Sequence, residues 1–292
     1  IASLSAGDTQ IEYGDYPNID RRVNSFLDKA DLSRYSNLFI TDISVNEETA
    51  ERLEAIHRSN SSLAIQLLDH HKTAQWLNKY DWAYVSTSHV KNTLTMDRYL
   101  SSGTSLALNH FEHELDVVIP NVVREFAEQV RRYDTWEWSD VYKDVLPKEL
   151  NDLLYTIGRE QFVATYTDLL NIQDGEDFDW FTSEHRTLLD QRQKEIEAYI
   201  KKKDEQLTVT DNNVGIIFAE SHVSELGNEI CNLHPEIEYV VIFDVGARKM
   251  SFRTVKDIDL SEIAKSHGGG GHPKASGASF ELSELTTVLE SF

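Results

Sequence analysis

The sequence predicts an α/β protein in two parts, an N-terminal parallel-sheet domain and a smaller C-terminal α/β domain joined by a helical linker. Three observations predict it. Strand and helix patterns alternate over residues 9–71, the order that gives a largely parallel sheet with right-handed crossovers. A long, charged helical pattern follows over Thr182 to Lys203, with little room for a sizeable apolar face, as expected of a link between domains. A second alternation begins at Leu207. The expected boundaries are therefore 1–181, 182–206 and 207–292.

Taken in order, Thr9 to Tyr13 alternates polar and apolar residues and reads as a strand, and Ile19, Val23, Phe26 and Leu27 fall at helical spacing. Asn37 to Ile43 is an apolar strand ending at Asp42. The next helix, Glu47 to Arg58, starts at Asn46 as N-cap, with Glu47 and Glu48 where negative charge suits the helix dipole. Leu63 to Leu68 is an apolar run of the length of a buried parallel strand, and it stops at Asp69-His70-His71. Beyond Gly103 the patterns are helical: Thr104 to Phe111, Pro120 to Arg132 with proline at its start, Lys148 to Tyr155, and Glu160 to Leu170. Asn171 to Asp179 reads as an acidic loop. In the C-terminal part, Val214 to Ala219, Glu238 to Asp244 and Lys249 to Arg253 read as strands, the last two as a hairpin about Gly246. Helices are expected at Val223 to Leu233 and Leu260 to Ser266, followed by Gly268-Gly269-Gly270-Gly271-His272-Pro273 and a last strand and helix.

Composition narrows the function. The formal charge of −22, from 50 acidic against 28 basic residues, opposes avid binding to long duplex nucleic acid, whose affinity comes from cationic contacts to many phosphates. A small anionic substrate needs only local positive charge, from a metal ion or a few placed groups. No run of 18 apolar residues and no secretory pattern at Ile1 are seen, so no membrane partner and a cytoplasmic location are expected. The single Cys231 excludes an intramolecular disulfide.

Two clusters could carry chemistry. Asp42 and Asp69-His70-His71 each end an apolar strand, and parallel neighbours would bring them to one rim of the sheet, where open α/β sheets bind ligands. Asp134 follows a helix from which a chain reversal could return it to that rim. Carboxylates and imidazoles without thiolates suit Mn²⁺ or Mg²⁺ better than structural zinc, and two such ions about 3.5–4 Å apart would clamp a phosphoryl group. Residue types alone leave open a polar loop after a strand. Ser101 to Ser105 lacks a serine-nucleophile pattern and reads as a helix start contacting this site. The second cluster is the glycine run. A flexible turn after a helix would explain it, but not the adjacent His272, Lys274 and Gly277; the alternative is close approach of backbone N–H groups to an anion, with His272 and Arg253 as further donors.

Together the two clusters resemble the DHH phosphoesterases, named for the motif present here as Asp69-His70-His71, with the C-terminal DHHA1 domain whose glycine-rich motif appears as Gly268 to Gly277. The resemblance covers nearly the whole chain. It implies a Mn²⁺-dependent hydrolase with two ions, Mg²⁺ or Co²⁺ being substitutes, in which Asp42 bridges the ions and His70 and Asp134 complete one of them. Asp69 would support the site and His71 would lie near the substrate phosphate, giving these two the catalytic roles. Arg253, Gly269, Gly270, Gly271 and His272, with Lys274 and Ser251 as helpers, would bind a terminal phosphate or nucleotide. Capture of that end at a fixed distance from the ions would select very short single-stranded RNA or small nucleotides as partners; a homodimer is compatible with it. Alternatives within the family are a 3′-phosphoadenosine 5′-phosphate phosphatase, a cyclic dinucleotide phosphodiesterase and a processive single-strand exonuclease. A different class is a nucleotide-binding regulator without catalysis. The family's N-terminal His-x-Asp-x-Asp motif does not occur in the sequence, and with Ile1 at its start the first strand and helix are expected to be missing through truncation or disorder.

Overall fold

The computed structural model describes residues 9–16, 18–92, 97–169 and 179–292. The chain divides into two compact units, Ile1–Thr182 and Ser183–Phe292.

In the first unit, β1 (Asn37–Thr41), β2 (Ala64–Asp69) and β3 (Ala83–Val85) form a wholly parallel sheet in that order, with Ile40 opposite Leu67 and Leu67 opposite Ala83. The helix between the first two strands, α2 (Glu47–Ser59), is capped as its sequence predicts, the Asn46 side chain accepting from the Thr49 N–H at 2.9 Å. It buries Ala50 and Leu53 against Ile65, Leu67, Leu77 and Trp82, together with Ile19 and Leu27 of α1 (Ile19–Lys29). Leu53 and Leu67 are fully inaccessible, each worth about 2 kcal/mol of apolar burial. Thr9 to Tyr13 forms no strand. Its alternation has no face to cover, since Ile11 is 55% and Tyr13 49% exposed. No pattern in the sequence marks the antiparallel pair β4 (Ser88–Asn92) and β5 (Asp97–Leu100).

Among the described residues four α-helices follow, α3 (Gly103–His113), α4 (Asn121–Asp134), α5 (Leu146–Ile157) and α6 (Arg159–Leu169), with a single π-helical turn, Trp138–Tyr142, between α4 and α5. Ser102 caps α3 in a reciprocal arrangement with Ser105. The buried stripe of α4 is Val122, Val123, Ala127 and Arg131, three apolar residues and one cation. Of the acidic loop expected at Asn171 to Asp179, residues 171–178 lie outside the described residues, while Asp179 accepts from the Phe181 N–H.

The second unit begins with α7 (Ser183–Asp204), the helix expected as a linker, whose Tyr199 and Ile200 pack on this unit's core. The unit holds a six-stranded sheet, ordered β10 (Gly270–His272), β11 (Ala275–Ser279), β9 (Lys249–Arg253), β8 (Tyr239–Asp244), β7 (Val214–Phe218), β6 (Thr208–Val209). Only β7 and β8 run parallel. Alternation along β8 splits the core between the two faces. Val240 and Ile242 meet α8 (Val223–Leu233), while Val241 and Phe243 face α9 (Leu260–Ser266) and α10 (Leu285–Leu289). Among the described residues no helix is long and apolar enough to cross a membrane.

Candidate metal centre

The parallel register sets the first half of the centre. Because Thr41 pairs with Leu68, Asp42 and Asp69-His70-His71 leave the sheet on the same rim. Asp42 turns there in the left-handed region at φ 65°, its N–H still held by the Leu68 carbonyl at 2.9 Å. A non-glycine residue rarely adopts this conformation, and aspartate tolerates it better than a bulky side chain. Asp134, the last residue of α4, supplies the second carboxylate.

These residues converge on one imidazole. Nε2 of His70 lies 3.2 Å from Asp42 Oδ1 and 3.1 Å from Asp134 Oδ2. The other ring nitrogen, Nδ1, lies 2.8 Å from the Ser101 carbonyl. A carbonyl only accepts, so Nδ1 carries a hydrogen, and Nε2 is the nitrogen that faces the two carboxylates, donating to them when protonated and offering its lone pair to a cation once that proton has left. That is the orientation a metal-bound histidine requires. The donor set also has the right size: with bonds of about 2.1 Å, ligands at right angles lie about 3.0 Å apart. One nitrogen and two carboxylate oxygens suit a borderline-hard divalent ion. The His70 side chain is 3% exposed, against 57% for Asp42 and 37% for Asp134, so the cluster is a rim with a buried floor and open acidic walls.

Charge follows from this geometry. Burial alone would lower the His70 pKa, but acceptance by Asp42 and the charges of Asp134 and Asp42 outweigh it and push it up to about 9. Asp134 is pushed up to about 6, by desolvation first, against the pull of His70 and with the push of Asp42. With 37% of its side chain exposed, Asp134 keeps water on one side, which limits the upward shift that burial and the Asp42 charge impose. A proton on Nε2 and a cation compete for the same lone pair.

The motif's other two residues form a second unit of structure. Asp69 is inaccessible; its Oδ1 accepts from the His70 N–H at 2.8 Å and lies 2.7 Å from His71 Nδ1, and its Oδ2 accepts from the Ser44 hydroxyl. Burial would raise its pKa, yet the His71 bond and charge, with Ser44 and the His70 N–H, hold it below the usual carboxylate range. Asp69 thus orients the His71 ring, whereas the ring of His70 is held by Ser101. Tyr16 completes this network, accepting from the Ser44 N–H at 3.0 Å and meeting the His71 ring edge-on at 6.4 Å.

Ser44, Ser101, Gly103 and Tyr16 carried no signal of their own beyond the expectation that the helix start at Ser101 to Ser105 contacts the site. It does, through the Gly103 N–H, 3.3 Å from Asp42 Oδ1. On either side of Asp134 in sequence, the Tyr133 and Trp138 rings stack with centroids 6.5 Å apart, and Trp136 meets Trp138 edge-on at 5.4 Å.

In the second unit, the pairings of His272 with Ala275 and of Ala275 with Arg253 place the three in one row across β10, β11 and β9. Laterally paired residues share a face, so His272 and Arg253 flank a small residue, two strand spacings or about 10 Å apart. The Arg253 guanidinium donates to the Phe252 and Ser276 carbonyls and to Ser224 Oγ at 3.1 Å. Gly227 lets α8 approach it, since a Cβ there would lie 2.5 Å from Arg253 Cγ. The glycine run divides by role. Gly268, at φ 74°, ends α9, and the Gly269 N–H returns to the Ala264 carbonyl at 2.8 Å. A Cβ on Gly269 would lie 2.0 Å from the Gly277 carbonyl oxygen, while Gly270 and Gly271 enter β10. Lys274 Nζ donates to the Lys256 carbonyl, and Ser251 pairs with Gly277.

Similarity to known proteins agrees with the two clusters. The family model described as the DHHA1 domain matches residues 211–292. The chain is 38% identical over 301 residues to oligoribonuclease NrnB of Bacillus subtilis (strain 168), a match covering 100% of this chain and 72% of the relative. Among solved structures, RecJ of Thermus thermophilus in complex with Mn²⁺ aligns with a TM-score of 0.57 at 13% identity, over 93% of this chain and 45% of that one. A second RecJ exonuclease structure bound to manganese gives 0.52 at 14% identity, over 92% and 76%. The structures speak to the fold and the whole-length identity to kinship. With the Asp-His-His and glycine-rich motifs in their expected order, the chain belongs to the DHH family of metal-dependent phosphoesterases, with a C-terminal DHHA1 domain.

Proposed function

We propose that this protein hydrolyses phosphodiester bonds of short oligoribonucleotides, with Asp42, His70 and Asp134 holding a divalent cation, Mn²⁺ foremost. The observation that carries the metal assignment is the His70 imidazole, with Nδ1 committed to Ser101 and Nε2 within 3.2 Å of two carboxylates. The substrate class rests on the 38% identity to a relative named an oligoribonuclease. A bound ion would supply charge stabilisation to the phosphoryl group and acidify an attacking water. A two-ion arrangement, with Asp42 as bridge, calls for ligands beyond these three.

The residues themselves do the rest. Asp69 takes His71 Nδ1, which orients the ring so that Nε2 is the nitrogen to act on a phosphate oxygen, and His71 is the donor that stabilises charge developing there. Asp42 and Asp134 hold the ion-binding edge at the exposed side of the rim, where substrate has access. In the second unit, the Arg253 and His272 row, with the backbone of Gly269 to Gly271 and with Lys274, binds a terminal phosphate. An acidic chain of net charge −22 favours short over long strands, and a cytoplasmic location fits RNA turnover.

The test is a side-by-side rate comparison of full-length protein with Mn²⁺ on an RNA dinucleotide, 3′-phosphoadenosine 5′-phosphate and cyclic di-AMP. The dinucleotide should be cleaved fastest, to mononucleotides. A preference for either other compound replaces the substrate assignment, and no turnover under any divalent ion overturns the catalytic reading.

A further inference from the structure

Arg131 is the one cation in the buried stripe of α4, 1% exposed. Its surroundings account for every part of the guanidinium. Nε and Nη2 meet the two carboxylate oxygens of Glu128 at 2.7 and 2.8 Å, and Nη1 donates to the Leu100 carbonyl at 3.0 Å and to Glu137. The Tyr99 ring lies beneath the guanidinium carbon at 4.6 Å. Glu137 in turn accepts from the Leu100 N–H at 3.3 Å, so both polar groups of Leu100 are tied to one ion pair.

The placement of these contacts gives them meaning. Leu100 precedes Ser101, whose carbonyl accepts from His70 Nδ1 at 2.8 Å. Arg131 itself stands three residues before Asp134, within the last turn of α4, and Glu137 lies three residues beyond it. One guanidinium therefore joins the backbone that fixes the His70 ring to the helix end that carries Asp134, two ligands that are 64 residues apart in sequence. A buried cation among two carboxylates is a weak source of stability, since desolvation offsets much of the attraction. Holding two distant ligands in one geometry is what this network does beyond stability.

We propose that Arg131 is a positioning residue for the metal centre, acting on His70 through the Leu100–Ser101 backbone and on Asp134 through the end of α4. This rests on the reading that His70 and Asp134 bind a divalent ion. Lysine at 131 keeps the charge but has a single nitrogen, which cannot reach Leu100, Glu128 and Glu137 together.

The experiment measures Mn²⁺ affinity of full-length protein by electron paramagnetic resonance of the free ion, alongside melting temperature. The variants are Arg131→Lys, Glu137→Gln, and Lys148→Met, the last breaking the partly buried Lys148–Asp152 pair of α5 as a control for general destabilisation. Removing a group that hydrogen-bonds a metal ligand costs about 10–100-fold in metal affinity, and Arg131 acts one step further out, so Arg131→Lys should weaken Mn²⁺ binding by about 10-fold. Excess Mn²⁺ should restore its turnover, and Glu137→Gln should show a smaller loss. Lys148→Met should lower the melting temperature and leave Mn²⁺ affinity unchanged. Should Arg131→Lys not fold, Glu137→Gln decides. Wild-type Mn²⁺ affinity in the folded variants, or an equal loss in Lys148→Met, overturns the positioning role alone. A wild-type protein that binds no divalent ion overturns both this role and the metal site.

Discussion

Gly103→Ala sets two physical effects against each other. Helix propensity favours alanine over glycine by about 1 kcal/mol inside a helix, and Gly103 is the first residue of α3. The packing is against it. A Cβ at 103 would stand 2.4 Å from Asp42 Cβ, 2.5 Å from its Oδ1 and 2.7 Å from its Cα. Carbon atoms in favourable contact sit about 3.5–4.0 Å apart, so the clash demands a shift of about 1 Å. Two of the three atoms are not the far end of a flexible side chain, and the Asp42 backbone is pinned by its bond to Leu68 and its left-handed turn. Overpacking of this kind costs about 1–3 kcal/mol, more than the propensity gain. The expected net result is a melting temperature lower by several degrees. Moving Asp42 also breaks its alignment with His70, so Mn²⁺ affinity should fall about 10-fold or more. Calorimetry and metal titration check both. An alanine variant that is more stable and binds Mn²⁺ as wild type would refute the placement of α3 against Asp42 and the role of Asp42 in the centre.

Other outcomes follow from the same geometry. The His70 pKa is raised from 6.5 to about 9, so in metal-free protein its bonds to Asp42 and Asp134 contribute stability fully present below about pH 6.5 and lost as pH rises through about 9. Between those values Mn²⁺ binding should release close to one proton, read from the buffer dependence of the calorimetric heat; heat independent of buffer at pH 7.5 would remove His70 from the ligand set. Cys231 is 2% exposed and its thiol is pushed up to about 11 by burial, so at pH 8 about one molecule in a thousand carries thiolate. Ellman's reagent should find no fast thiol in the native protein and one after denaturation; rapid labelling would show that α8 parts from the sheet it packs on. Replacing Arg253 or His272 by alanine should raise KM for phosphorylated dinucleotides with little change in kcat, the signature of lost binding energy remote from the reacting bond. A KM for phosphorylated dinucleotides unchanged from wild type in both variants would end the terminal-capture role.

By itself the sequence determined the secondary elements that carry the chemistry and the rim on which they meet. An apolar run as long as a buried strand, stopped by Asp69-His70-His71, with a second one stopped by Asp42, leaves few arrangements once the connection is helical. Register then brings the two ends together, because Thr41 pairs with Leu68. Periodicity could not show what lies between elements distant in sequence. It marks Thr9 to Tyr13 as a strand because alternation is local, whereas a strand needs a partner and a covered face, and Ile11 and Tyr13 stay exposed. It could not tell which group would hold the His70 ring. That falls to the Ser101 carbonyl, a backbone atom with no sequence signature, and leaves Asp69 to orient His71. Nor could it mark Arg131 within an ordinary amphipathic helix, since only tertiary packing decides whether an arginine on a helix faces water or is shut in with Glu128, Glu137 and Leu100. The glycines show the same division. Their number is plain in the sequence, but the close passage of Gly269 against the Gly277 carbonyl is a fact of strand pairing, set by atoms eight residues apart that only the folded sheet makes neighbours.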